Sequence, residues 1–116
     1  MSSQIISNRN HFIVNKKIGE ILRELREQKT LLLRQVAAEI EIDQALLSKI
    51  ERCERMPTKE QVIRLAQFFG KDENEFLIAY FSDKLVYEVQ NEEVALEAMQ
   101  AAEMKINYII NKRNGK

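Results

Sequence analysis

Tryptophan is absent from the chain, and glycine, proline, cysteine and histidine occur three times, once, once and once in 116 residues. Because glycine and proline interrupt helices, their scarcity predicts long helices and an all-α fold. A single cysteine excludes an internal disulfide and a cysteine-based zinc site within one chain. With one histidine and no glycine-rich phosphate loop, the sequence offers no set of catalytic residues, so an enzyme is the least expected class and no cofactor is predicted.

Long apolar runs are absent as well, since no run approaches the roughly 20 residues of a membrane helix. The start MSSQIISNRN lacks the charged and apolar regions of a signal peptide, which predicts a cytoplasmic protein with no membrane partner. Residues 1–14 are interpreted as an arm before the first helix. Its Phe12 and Val14 are expected to pack on the domain, and insertion of Arg9 into a DNA minor groove is the less favoured alternative.

Neither sign of charge dominates, because 18 basic and 18 acidic residues cancel. Residues 16–70 contain eleven Lys or Arg against nine Asp or Glu, whereas residues 71–116 contain six against nine. The C-terminal part is therefore unsuited to be the main phosphate-binding surface. The mildly basic first part fits a modest DNA affinity that depends on geometry.

Apolar residues at helical spacing, together with capping signals, predict the helices. The first is expected to end near Gln28 and the last to run from about Glu92 to Asn111, while 83–89 continues or restarts the fifth. The predicted start signals are Asn15 for the first helix, Asp43 for the third, the capping box of Thr58 with Gln61 for the fourth, the box of Asp72 with Glu75 for the fifth, and Asn91 for the last. Gly70 is expected to end the fourth helix.

The stretch from Arg34 to Arg52 has the pattern of two short helices joined by a tight turn. Its inward-facing residues are Val36, Ala37, Ile40, Ile42, Leu47 and Ile50. With Leu31 before it and Pro57 after it, this stretch resembles the Cro/repressor-type helix-turn-helix domain of the xenobiotic-response-element (XRE) family of bacterial and phage regulators. The most specific part of the resemblance is the block LLSKIER, from Leu46 to Arg52.

The resemblance implies a five-helix, λ-repressor-like DNA-binding domain over residues 15–81, followed by a C-terminal helical extension over 82–116. Its third helix, 44–52, would enter the major groove of double-stranded DNA. The implied base-reading residues are Gln44, Ala45, Leu46, Ser48 and Lys49. The implied phosphate contacts are Arg34, Gln35, Arg52, Arg55 and Lys59. In the family an arginine of the first helix pairs with a glutamate of the third, which implies an ion pair between Arg26 and Glu51.

The chain departs from the family pattern at three places. Leu32 and Leu33 replace the usual polar capping pair, so the second helix is either capped by Thr30 or poorly capped. Glu41 stands where a glycine commonly supplies a positive φ. Cys53 stands where a glycine usually ends the third helix; a tolerated small residue is the favoured interpretation and a redox switch with thiolate character the less favoured one.

The last predicted helix carries apolar residues at spacings of 4, 3, 4 and 3, which is a heptad seam. Its members are Ala95, Met99, Ala102, Ile106 and Ile109. The helix can fold back on its own domain or pair with a second subunit, and a homodimer is favoured because the compact domain has little free apolar surface. The length and helical tail are similar to those of restriction-modification controllers and antitoxin-type autorepressors.

Two functions stay open on the sequence. The leading hypothesis is a homodimeric, sequence-specific transcriptional regulator that binds a palindromic DNA operator. The alternative is a protein-protein interaction module that keeps the helix-turn-helix fold without DNA reading. The zero net charge, Leu32 and Leu33 favour that alternative.

Overall fold

The computed structural model describes residues 16–115, which form six α-helices and, within that range, no strand. In chain order the helices are α1 (Ile18–Gln28), α2 (Leu33–Ile40), α3 (Gln44–Glu51), α4 (Lys59–Phe69), α5 (Glu73–Val89) and α6 (Ala95–Arg113). The all-α prediction is confirmed. The chain divides into two compact units, with the boundary between Lys84 and Leu85. The predictions for the arm 1–14 lie outside the described residues.

The core of the first unit is built from the apolar stripes of α1 to α5. Apolar residues three and four positions apart lie on one side of a helix, so each helix buries one face. The largest side chains that the core buries completely are Leu22, Val36, Leu47, Ile50, Val62 and Leu65. In the pairwise packing, α1 and α2 each contact α3, and α4 contacts α2. The helix that was predicted to read DNA is therefore held from behind by two others.

Helix α1 begins at Ile18, with Lys17 at the N-cap position, and not directly after Asn15 as predicted. Two acceptors that the sequence pattern did not indicate explain this start. The Lys17 N–H donates to Glu20 Oε1 at 2.9 Å. The Ile18 N–H donates to Asp83 Oδ2 of α5 at 2.7 Å. Both donors would otherwise have no partner inside the helix, so these carboxylates determine where it starts.

The predicted capping box of α4 is confirmed. The Gln61 N–H donates to Thr58 Oγ1 at 3.1 Å, and the Thr58 N–H donates to Gln61 Oε1 at 3.0 Å. Gly70, with φ of 66°, ends α4 in the left-handed conformation, as predicted. The inward stripe of α4 consists of Val62, Leu65, Ala66 and Phe69, all buried.

The predicted second box closes only halfway. Asp72 Oδ1 accepts from the Asn74 N–H at 2.8 Å and from the Glu75 N–H at 3.4 Å, but the Glu75 side chain returns no bond among the contacts of the described residues. Helix α5 then continues without a break to Val89, which settles the open choice between continuation and restart.

Helix α6 begins at Ala95, three residues later than predicted, and continues to Arg113. The residues after Asn91 form turns instead of a first helical turn, because the Glu92 N–H donates to the Val89 carbonyl oxygen at 2.9 Å. None of the residues of α6 is buried. In the part of the chain that the structure describes, no helix has the length and apolar character needed to cross a membrane.

Candidate nucleic-acid interface

The turn between α2 and α3 bends through a left-handed residue. Glu41 ends α2 with φ of 62° and ψ of 49°, a conformation that a non-glycine residue adopts at a cost of about 1–2 kcal/mol. The Ile42 N–H then donates to the Ala37 carbonyl oxygen at 3.0 Å, and Ile42 packs against the core. The chain therefore makes a tight turn between α2 and α3 without a glycine, and the core contact of Ile42 helps to offset the strain.

A second support for this turn comes from Arg64 of α4. Arg64 Nη1 donates to the Ile40 carbonyl oxygen at 3.2 Å, which satisfies an acceptor at the C-terminal end of α2. The same atom lies 3.6 Å from Glu41 Oε1, and Nη2 lies 3.2 Å from Glu60 Oε2. The sequence analysis assigned no role to Arg64. The contact to α2 was missed because it joins residues far apart in the chain.

Helix α3 has an inner and an outer face. Leu47, Ile50 and Glu51 are buried. Of the predicted base-reading residues, Gln44, Ala45 and Lys49 are exposed, Ser48 is half-buried, and Leu46 is half-buried because it packs against the core. The outer face therefore offers one amide, one methyl group and one ammonium group at the positions predicted to face the bases.

The N-terminal end of α3 corrects one prediction. Asp43 occupies the N-cap position with extended backbone, but its side chain accepts no hydrogen bond from the helix. The first backbone N–H groups of α3 are thus not satisfied by a capping side chain among the described residues. Donors that are free at a helix N-terminus attract anions, and they lie beside the predicted base-reading residue Gln44.

The start of α2 resolves the choice between Thr30 and a poor cap. Thr30 has φ of 57° and lies in the left-handed region after α1, so it does not cap α2. Leu32 takes the N-cap position, and its side chain has no acceptor for the helix. Gln35 Oε1 accepts from the Leu32 N–H at 2.8 Å. Half of a capping box is therefore present, and Gln35 retains only its amide NH₂ group for a phosphate.

The predicted phosphate contacts differ in their availability. Within residues 16–115, Arg34, Arg55 and Lys59 are exposed and form no salt bridge, and the same holds for the base-reading candidate Lys49. Arg52 is engaged: its Nη1 lies 3.2 Å from Glu54 Oε2, and its Nε donates to the Ser48 carbonyl oxygen at 3.3 Å. Three of the five are thus free cations.

Arg26 and Glu51 form a bidentate ion pair between α1 and α3. Arg26 Nε and Nη2 donate to the two carboxylate oxygens of Glu51 at 2.8 and 3.0 Å. The side chains are only 14% and 5% exposed. Arg26 Nη1 also donates to the Leu31 carbonyl oxygen at 2.8 Å. The hydrogen bonds to Glu51 raise the pKa of Arg26, so its guanidinium group stays charged.

Gly19 was not recognised as a packing residue. A Cβ atom at Gly19 would collide with the carbonyl oxygen of Ile50 and would lie 3.0 Å from Cys53 Sγ. The first turn of α1 therefore lies directly on the C-terminal end of α3. The signal in the sequence is a single glycine inside an apolar helical stripe, which often marks a close backbone approach.

Cys53 follows α3 with φ of 62°, so it replaces a glycine in backbone conformation as well as in position. Partial burial, with a smaller contribution from the nearby Glu20 carboxylate, raises the pKa of the Cys53 thiol. The thiolate is therefore less populated at neutral pH than in a free cysteine. This finding weakens the redox interpretation, which required thiolate character.

The predicted dimerisation residues lie along α6 with unequal exposure. Ala95, Met99 and Ala102 are half-buried, whereas Ile106 and Ile109 are 53% and 52% exposed. In the first unit, Ile78 and Phe81 of α5 are also exposed, on the side of the helix opposite the buried Phe76 and Ala79. The sequence pattern did not separate these two faces of α5 because both are apolar.

A family model described as helix-turn-helix matches residues 22–76, the segment from the middle of α1 into the first turn of α5. A search of curated protein sequences found no match to the chain.

Proposed function

Through residues 22–76 the chain belongs to the helix-turn-helix family of XRE and λ-repressor type, and from this premise we propose that it is a sequence-specific transcriptional regulator that reads double-stranded DNA as a homodimer. The carrying observation is the division of α3 into an anchored inner face and an outer face with Gln44, Ala45 and Lys49. Such a helix fits the major groove. The family resemblance of the sequence and the family match agree on this segment.

The outer face of α3 supplies the chemistry of base recognition. The Gln44 amide can donate to N7 and accept from N6 of the same adenine, which is a bidentate arrangement. The Ala45 methyl group suits a thymine methyl, and the Lys49 ammonium can donate to guanine O6 and N7. Each good base contact contributes about 1–3 kcal/mol of discrimination. Ser48, being half-buried, is the less accessible hydroxyl on this face.

Phosphate contacts hold the helix in register. Arg34 lies in the first turn of α2, Lys59 is the first residue of α4, and Arg55 lies in the loop between α3 and α4. The starts of α2 and α4, where Arg34 and Lys59 lie, also present backbone N–H groups that have no partner inside the helix, and such groups favour anions. Gln35 can add its NH₂ group. Because only a few cations are free, affinity should depend on salt with a moderate slope.

A second copy would bring two reading helices to one operator. Helix α6 supports this part of the proposal, since none of its residues is buried and Ile106 and Ile109 point into solvent at seam positions. An amphipathic helix without a partner gains stability by pairing. A two-fold dimer would place the reading helices about 34 Å apart on a palindromic site. A monomeric mass in light scattering at working concentration would contradict it.

Selection of binding sites from random-sequence DNA tests the reading function. The wild-type chain should enrich a symmetric motif, and Gln44→Ala/Lys49→Ala should lose at least tenfold in affinity for it, since it removes two base contacts. The control is Gln100→Ala/Lys105→Ala, which makes the same chemical changes at exposed positions of α6. Absence of any enriched motif, or an equal loss in both double variants, would refute sequence-specific reading by α3.

The salt dependence of the affinity separates this proposal from a protein-interaction module. Phosphate contacts release counterions, so the Kd for the selected DNA should rise between about 50 and 200 mM salt, with the moderate slope expected for a few free cations. Arg34→Ala, Arg55→Ala and Lys59→Ala should each reduce the slope by about one. An interaction module would bind no DNA at either salt concentration.

A further inference from the structure

The first turn of α1 is held by two other helices of the first unit. On one side, the Ile18 N–H donates to Asp83 Oδ2 of α5 at 2.7 Å. On the other side, Gly19 lies against the Ile50 carbonyl oxygen of α3 so closely that no side chain fits between them. Two consecutive residues of α1 thus contact different helices: Ile18 contacts Asp83 of α5, and Gly19 contacts the C-terminal end of α3.

Asp83 is the fixed point of this arrangement on the α5 side. Its carboxylate is partly buried. Asp83 lies 65 positions from Ile18 in the chain, so the hydrogen bond between them is a tertiary contact and not a local cap. Lys17 at the N-cap position contributes no side-chain acceptor. Without Asp83, only the Glu20 side chain would accept from the first N–H groups of α1, through the Lys17 N–H.

The contact at Gly19 transmits the position of α1 to the C-terminal end of α3. Cys53 Sγ lies beside Gly19, and the Cys53 N–H donates to the Ile50 carbonyl oxygen at 3.0 Å. Packed backbone is stiff, so a shift of the first turn of α1 displaces the carbonyl groups that end α3. Arg26 holds α3 further along α1, which leaves the first turn as the second of two attachment points.

We propose that Asp83 is a positioning residue for DNA reading: by holding the first turn of α1 from α5, it fixes the end of α3 and so the angle at which the reading face enters the groove. This inference rests on the proposed function for its effect on DNA. The contact itself also has a consequence that does not involve DNA, namely the rigidity of the C-terminal end of α3.

The test compares the full-length wild type with Asp83→Ala, Asp83→Asn and Thr58→Ala. Asp83→Asn keeps an oxygen acceptor, and Thr58→Ala removes the capping oxygen of α4, which is not an attachment of α1. Kd is measured for the selected site and for random DNA, with folding monitored by circular dichroism. Asp83→Ala should lose about fivefold in affinity for the site, the lower end of what one base contact contributes, with little change for random DNA. Asp83→Asn should stay within about twofold of the wild type, and Thr58→Ala should keep its ratio of specific to non-specific affinity.

Hydrogen exchange of the Arg52 and Cys53 amides supplies a readout independent of DNA. Exchange should be faster in Asp83→Ala than in Thr58→Ala, and Asp83→Ser serves if the alanine variant does not fold. The proposal would be overturned if Asp83→Ala and Thr58→Ala had the same ratio of specific to non-specific affinity and the same exchange rates. A wild type with no preference for any DNA would instead overturn the proposed function, and the exchange rates would still decide whether Asp83 holds α3.

Discussion

Helices α2 and α4 have the same backbone conformation at both ends, an extended N-cap residue and a left-handed C-cap residue, but different residue types form these ends. At the start of α4, Thr58 and Gln61 exchange two hydrogen bonds that involve both side chains. At the start of α2, Gln35 Oε1 accepts from the Leu32 N–H, but the Gln35 N–H donates to the Leu32 carbonyl oxygen because leucine has no side-chain acceptor. Both helices end on a left-handed residue, with φ of 66° at Gly70 and 62° at Glu41. The backbone of α2 is therefore that of a well-capped helix, although its residues are not those that favour it.

The difference shows that distant contacts impose the geometry of the α2–α3 segment. Arg26 binds Glu51 at the end of α3, and Arg64 binds the Ile40 carbonyl oxygen at the end of α2. Local departures of this kind are expected where a segment is shaped for function, because other interactions must then compensate. Helix α4 supplies no base-reading residue in the proposed function, and it follows the local rules throughout.

Among the substitutions that test this difference, removal of Arg26 should lower the free energy of unfolding most. Arg26→Ala leaves Glu51 buried and without its partner, which typically destabilises by about 3–5 kcal/mol. Arg23→Ala is the control on the same helix, because Arg23 pairs with Glu27 at 3.1 Å in an exposed position, where a salt bridge contributes about 0–1 kcal/mol. Urea unfolding measures both. A loss for Arg26→Ala no greater than that for Arg23→Ala would show that α3 is held by its apolar residues alone.

An added methyl group at Gly19 should have the next largest effect. Gly19→Ala forces α1 away from the Ile50 carbonyl oxygen, and such overpacking costs about 1–3 kcal/mol. Gly70→Ala serves as control, since a Cβ there meets no atom within 4 Å and only the positive φ opposes it, at about 1–2 kcal/mol. The urea midpoints of the two variants separate the effect of steric overlap at Gly19 from that of backbone strain at Gly70. A stabilised Gly19→Ala variant would contradict the close approach of α1 to α3.

Much of the fold and part of the candidate site were predictable because they follow from local patterns. The spacing of apolar residues placed Val36, Ala37 and Ile40 inside, and the Thr58 box marked a helix start. The start of α1 was not predictable, since its cap comes from Asp83, far away in the chain. The support by Arg64 was hidden for the same reason.

Other parts of the site depend on competition that no pattern reveals. Arg52 looked like a free cation, but Glu54 lies close enough to pair with it. Asn91 is a good cap by composition, yet the chain turns there and α6 begins at Ala95. In both places two local interactions were available, and only the three-dimensional structure decides which one forms.

Substitutions at the two N-cap positions should change the free energy of unfolding least. Leu32→Ser should make the start of α2 like that of α4, and Thr58→Ala should do the reverse. Leu32→Ser gives α2 an acceptor opposite Gln35, so the box can close and the free energy of unfolding should rise by about 0.5–1 kcal/mol. Thr58→Ala opens the box of α4 and should lower it by about 1 kcal/mol. The double variant should lie near the wild type, because the two capping boxes share no hydrogen-bond partner. Chemical denaturation of all four proteins gives the comparison. If Leu32→Ser lowers stability, the half-exposed leucine contributes more by packing than a serine contributes by capping, and α2 is held at its start by apolar contact as well.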